Sequence, residues 1–70
     1  MTAMQLIVNG TSRAFDPRVL TVAHLIRELA LEGKRVAVEK NGCIVPRSRY
    51  GETPVEPGDS LEIVAAVGGG

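Results

Sequence analysis

The chain is short of most residues from which catalytic and metal sites are built. Its 70 residues include one cysteine, Cys43, and one histidine, His24. A single cysteine cannot close an internal disulfide, and it cannot hold a two-iron cluster, which needs four ligands. A small domain held by its core alone fits a reducing cytoplasm. One unpartnered histidine makes no metal site, and nothing in the spacing suggests that Ser12, His24 and an acid meet as a triad. Neither sign of charge is in excess: eight Lys+Arg balance eight Asp+Glu, and the sequence pI is ≈ 6.6. That balance argues against nucleic acid or an anionic membrane as main partner. No apolar run is long enough to span a bilayer, and the start of the chain lacks the basic-then-apolar pattern of a secretory signal. No Gly-x-x-x-x-Gly-Lys-[Ser/Thr] phosphate loop occurs, so any ATP chemistry belongs to a partner.

What is present reads as one small domain. A chain of this length buries about 60% of the surface its unfolded form exposes, which leaves little room for a deep enzyme cleft. Met4 to Val8 is apolar except for Gln5, and Asn9-Gly10 follows it. Asn-Gly between two strand-like runs is the strongest short hairpin signal, because both turn positions want φ > 0. The return strand is Thr11 to Phe15, ended by Asp16-Pro17. Thr21 is a good N-cap for a helix over Val22 to Leu29, in which Val22, Leu25, Ile26 and Leu29 form one apolar stripe. His24, Arg27 and Glu28 fall on the opposite side, and Gly33 is expected to stop the helix. Arg35 to Lys40 alternates, Asn41-Gly42 repeats the turn signal, and Cys43-Ile44-Val45 is a short strand closed by Pro46. The stretch from Arg47 to Asp59 reads as loop with one helical turn near Ser48 to Tyr50. Pro57-Gly58-Asp59 then introduces a last strand, Leu61 to Val67, with Leu61, Ile63 and Ala65 on one face.

Strand, strand, helix, strand, strand, strand is the order of an α+β β-grasp: a five-stranded mixed sheet with one amphipathic helix covering one face. The first and last strands would lie parallel in the middle, which suits the branched residues of Leu6-Ile7-Val8 and Ile63-Val64. The domain is expected to end at residue 67. Residues 68–70 would form a flexible tail.

The tail is the most unusual feature. Val67-Gly68-Gly69-Gly70 ends the chain on three glycines, the least bulky backbone to thread through a narrow channel and the one that loses most entropy when ordered. An ordinary frayed end is the plain reading. The sharper one is a terminal carboxylate that is itself the working group. Such a carboxylate has an unperturbed pKa near 3.5, so at neutral pH it is ionised and a poor electrophile until a partner activates it. Three extended residues reach about 10 Å beyond a fold.

Order and tail together resemble a known family. Val38-Glu39-Lys40-Asn41-Gly42-Cys43-Ile44-Val45-Pro46-Arg47-Ser48-Arg49-Tyr50, Pro57-Gly58-Asp59 and the terminal glycines are similar to the sulfur carrier family of thiamine biosynthesis, the ThiS family of ubiquitin-like β-grasp proteins. The resemblance covers almost the whole chain. It implies a protein that is not an enzyme and binds no cofactor itself. A ubiquitin-activating-type adenylyltransferase, using ATP and Mg, would adenylate the Gly70 carboxylate. A sulfur donor such as a cysteine desulfurase would supply the sulfur for a thiocarboxylate, and thiazole synthase would receive it. Gly70 would bear the reacting carbonyl, with Gly68 and Gly69 the required approach.

Other residues carry open readings. Cys43 is expected to be buried or half-buried in a short apolar strand, with a persulfide role as the alternative. Arg47 and Arg49 near Tyr50 are either a solvated loop or part of a docking surface. Ile7, Val64 and Ala66, on the sheet face away from the helix, and Val67, at the end of the domain, are the docking candidates. Three rival functions share the features above: the small subunit of molybdopterin synthase, a ubiquitin-like modifier conjugated to lysines, and a β-grasp binding module with an inert tail.

Overall fold

The computed structural model describes residues 3–65. Its elements are β1 (Met4–Val8), β2 (Thr11–Phe15), α1 (Val22–Glu28), β3 (Val36–Lys40), β4 (Cys43–Val45), a 3-10 turn (Arg47–Arg49) and β5 (Ser60–Ala65). Both Asn-Gly pairs make the tight turns their chemistry demands. Asn9 and Asn41 have φ of 52° and 52°, and Gly10 and Gly42 have φ of 82° and 86°, all in the left-handed region that a type I′ hairpin turn requires.

The sheet order is β2-β1-β5-β3-β4. The first and last strands pair in parallel, Ile7 with Ser60 and Val8 with Leu61, as expected. β3 runs antiparallel to β5, placing Val36 opposite Ala65 and Lys40 opposite Leu61. Alternation sends Met4, Leu6, Val8, Val38, Leu61 and Ile63 to one face, where they meet Val22, Leu25 and Ile26 of the helix. Leu6, Leu25 and Leu61 are fully buried, and truncating any of them to alanine costs about 2–5 kcal/mol, a large share of a small domain's stability. Val19 and Val55 close the core from the connecting segments. They are held there because Val55 N donates to Leu20 O and Val22 N to Thr53 O, at 3.0 and 2.9 Å.

The helix starts as its sequence indicates, with Thr21 Oγ1 accepting from His24 N at 3.2 Å. Its end differs from the expectation. The helix stops before Gly33 is reached, because Ala30 adopts φ 61°. Ala30 N then donates to Arg27 O and Leu31 N to Ile26 O, both at 3.0 Å. This is the bond pattern of a Schellman cap, closed by half-buried Leu31 packing back on the core. The cap is built on an alanine where glycine is usual. Hydrogen bonds and the Leu31 contact outweigh the Cβ clash.

Cys43 corrects a second expectation: its thiol is exposed. β4 is an edge strand and only three residues long, and of these only Val45 is buried. Cys43 shares the parity of Val45 but sits at the rim, at the turn end of the strand. The last strand is described as far as Ala65, so the remainder of the expected strand to Val67, and the tail at residues 68–70, lie outside the described residues.

Candidate functional site

β5 is the element that leads to the terminal glycines, and three polar devices fix it. At its start, Pro57-Gly58 forms a turn in which Gly58 has φ 88° and Asp59 N donates to Glu56 O at 3.0 Å. Asp59 then holds this corner through its side chain. It accepts from Glu56 N at 2.8 Å and from Asn41 Nδ2 at 3.1 Å, with Lys40 Nζ 3.6 Å away. Burial pushes the Asp59 carboxyl up, but the hydrogen bonds from Asn41 and the Glu56 amide, with the Lys40 charge, outweigh it and hold the group below its ordinary value. Asn41 Oδ1 also accepts from Ser60 N at 2.9 Å. Further along, Asn9 Oδ1 accepts from Ile63 N at 2.7 Å and Asn9 Nδ2 donates to Ile63 O at 3.0 Å. Each hairpin asparagine therefore serves its own turn and grips β5 as well.

The face away from the helix carries the docking candidates Ile7 and Val64. Val64 is 63% exposed and Ile7 39%. The structure does not bring them together. Ile7 stands opposite Ser60, whereas Val64 lies four residues further along the same strand, about 13 Å away at strand rise. Glu62 intervenes on that face. Val64 has Ala37 as its cross-strand neighbour instead. Ala66 and Val67 lie outside the described residues, as do Gly68, Gly69 and Gly70. One large apolar residue on this face escaped the sequence reading: Ile44, 79% exposed and opposite Glu39. The signal was available, since alternation in β4 must send Ile44 and Val45 to opposite faces.

The remaining candidates separate into structural and solvated groups. Tyr50 is half-buried against the core, and its hydroxyl donates to Val36 O at 3.0 Å while its carbonyl accepts from Ala23 N at 2.9 Å. Arg49 pairs with Glu52 at 3.2 Å on the surface, and Arg47 is exposed. Nε2 of His24 approaches Glu28 to 3.9 Å one helical turn on. Ser12 donates to Gln5 Oε1 at 3.0 Å, a surface contact across the β1–β2 pair. Hydrogen bonds from Arg18 hold Asp16 down at about 2, again on the surface. Among the described residues, no group of three or more His, Cys, Asp and Glu side chains could hold a metal ion, and no helix is long and apolar enough to cross a membrane.

A five-stranded mixed sheet with one covering helix, its central last strand leading to a glycine terminus, defines a ubiquitin-like β-grasp protein. The model of the ThiS family matches residues 6–70, and the chain belongs to that family. It is similar over 96% of its length, at 35% identity and with a TM-score of 0.80, to the whole crystallised chain of a thiamine biosynthesis protein (ThiS) from Geobacter metallireducens. It is 37% identical over 65 residues to the sulfur carrier protein ThiS of Bacillus subtilis, covering 93% of this chain and 98% of that protein. It is also 48% identical over 67 residues to a thiazole synthase of Paramagnetospirillum magneticum. There the match covers 96% of this chain but spans only 20% of the relative's length.

Proposed function

We propose that this chain is a sulfur carrier of thiamine biosynthesis whose Gly70 carboxylate is the group that is loaded, and that it is not itself an enzyme. The carrying observation is that the family match runs through the last residue, so Gly68, Gly69 and Gly70 fall within the shared pattern. The likeness to a protein named as a sulfur carrier over nearly its full length supports the same reading. In the proposed cycle a ubiquitin-activating-type adenylyltransferase binds ATP and Mg and transfers AMP to the Gly70 carboxylate, releasing pyrophosphate. The outer sulfur of a donor persulfide, such as that of a cysteine desulfurase, then attacks the acyl adenylate and expels AMP. A thiol reductant cleaves the resulting acyl disulfide to leave a thiocarboxylate and the donor's free thiol. The receiver is thiazole synthase. Support for that partner comes from a longer protein of that name that contains a stretch 48% identical to this one. Residues 1–67 would act as the docking domain, with Ile7, Val64, Ala66 and Val67 at the interface, and residues 68–70 as the thread. The reducing cytoplasm is the proposed location, consistent with one cysteine and no disulfide.

The test is loading of the purified chain with adenylyltransferase, MgATP, a persulfide donor and a thiol reductant. Intact-mass measurement should show one sulfur in place of one oxygen, lost again when thiazole synthase and its substrates are added. A product joined to lysine with no thiocarboxylate would replace the carrier reading with that of a protein modifier.

A further inference from the structure

We infer that Asn9, in the first hairpin turn, is a positioning residue for the C-terminal tail, its carboxamide standing in for a missing strand beside β5. The inference rests on the tail-loading reading proposed above. β1 accompanies β5 only as far as Val8, opposite Leu61, and the chain then turns back at Asn9-Gly10. From that point the backbone of β5 has a strand on one side alone, β3, which pairs with it up to Ala65. Asn9 supplies the other side. Its backbone N–H donates to Leu61 O at 2.8 Å, its Oδ1 accepts from Ile63 N at 2.7 Å, and its Nδ2 donates to Ile63 O at 3.0 Å. A side-chain amide offers one carbonyl acceptor and N–H donors, as a peptide group does, so the ladder continues one step without a strand.

The hairpin itself does not need this. A type I′ turn asks for φ > 0, which glycine meets at least as well as asparagine, and the Ile63 bonds join residues 54 apart in sequence. Asn41 provides the contrast. Its Oδ1 also accepts a β5 amide, but at Ser60, the first residue of the strand. The two asparagines thus grip β5 at its first residue and at its fourth, and the grip of Asn9 is the one nearer the tail.

A partner that draws Gly70 into its site must order every residue beyond the last one the domain already holds, and that ordering opposes binding. With Ile63 gripped by Asn9 and the strand paired to β3 as far as Ala65, the five residues beyond Ala65 (70 − 65 = 5) span at most about 18 Å from a fixed origin. Released on one side, the end of β5 becomes an edge held by β3 alone, and its fraying adds residues to the segment that a partner must order. Asn9 therefore acts through the end of β5 that leads to the tail, while β3 keeps Val64 of the docking face on the sheet.

The experiment is a double-mutant cycle between Asn9→Gly and deletion of residues 68–70, read as affinity for the adenylyltransferase in the presence of MgATP. Glycine keeps the turn and removes both Ile63 bonds. In the full chain, Asn9→Gly should weaken binding about tenfold (~1.4 kcal/mol) and lower kcat/KM for loading in proportion. In the tail-deleted background it should change affinity less than twofold. Asn9→Asp, which keeps the acceptor and loses the donor, should fall between the two in the full chain, and Ile63 N–H should exchange with solvent selectively faster in Asn9→Gly. Val19→Ala, a destabilising core change that removes none of the Asn9 bonds, should leave loading of the folded protein unchanged. Equal losses in both backgrounds, or an unaltered full chain, would overturn the inference. Failure of the unmodified protein to load at all would instead sink the sulfur-carrier reading.

Discussion

Glu39 and Glu62 stand directly opposite each other across β3 and β5, two carboxylates in register on the sheet face away from the helix. Like charges in that relation destabilise a sheet by a few tenths of a kcal/mol. Glu39→Lys should therefore stabilise the domain by about 0.5 kcal/mol, and the gain should shrink as salt is raised. Thermal denaturation at low and high ionic strength checks it. A drop in stability would show that the opposed pair is not a liability. A gain accompanied by weaker partner binding would place the pair in the interface, with stability given up for recognition.

Ala30 is the other place where a local rule is broken. An L-residue in the left-handed region costs roughly 1–2 kcal/mol, and Ala30 has φ 61°. Glycine there relieves that cost but adds freedom to the unfolded chain, worth about 0.4–1 kcal/mol in the opposite sense. Ala30→Gly should raise stability by about 0.5–1 kcal/mol, read as a higher urea midpoint at unchanged slope. A loss of stability would mean that the cap tolerates alanine without strain.

These two positions also show which parts of the molecule could be read in the chain and which could not. Both Asn-Gly turns, the Thr21 cap and the Val22-Leu25-Ile26 stripe were legible because each depends on residues within one or two turns of one another. The parallel pairing of β1 and β5 followed from element order. The helix end did not, because Gly33 is the stronger local stop signal and tertiary contacts of Leu31 decide in favour of Ala30. Cys43 was expected under cover because its strand is apolar, but cover depends on position in the sheet, and β4 is an edge. The Asn9–Ile63 bonds cross 54 residues. No local pattern encodes such a contact.

Asp59 sets the acid behaviour of the corner that starts β5. Its folded-state pKa is depressed, so its stabilising effect is fully present above the unfolded value, near 3.9. That stabilisation is lost as pH falls from there through the lower folded value. The melting temperature should therefore drop as pH is lowered below about 4, and Asp59→Asn should flatten that limb while lowering stability at neutral pH, where the Lys40 attraction is lost. An acid limb identical in the variant would assign the drop to other carboxylates.

Val64 offers the cleanest probe of the proposed docking face, since it is 63% exposed and its neighbour Ala37 is exposed too. Val64→Asp should fold with a melting temperature within a few degrees of the unmodified protein and bind the adenylyltransferase at least tenfold more weakly. Ile7→Asp should have a smaller effect, because Ile7 lies across Ser60, away from the end of β5 that leads to the tail. Unchanged affinity for both variants would remove this sheet face from the interface.

The exposure of Cys43 makes it a genuine competitor for the sulfur, and chemistry separates it from Gly70. A persulfide at Cys43 would need no ATP, would be reversed by a thiol reductant and would vanish in Cys43→Ala. A thiocarboxylate at Gly70 would need MgATP, survive reductant and persist in Cys43→Ala at the rate of the unmodified chain. Deleting Gly70 leaves a carboxylate on Gly69, yet the reacting carbon then stops about 3.5 Å short. Misplacement of even ~1 Å can cost on the order of 100-fold in rate, so the deletion should abolish detectable loading while leaving the fold and sheet-face docking intact. Intact-mass measurement of the three proteins, each with and without reductant, decides the matter. Sulfur that followed Cys43, or loading undiminished in the Gly70 deletion, would move the working group away from the terminus and end the tail-loading reading.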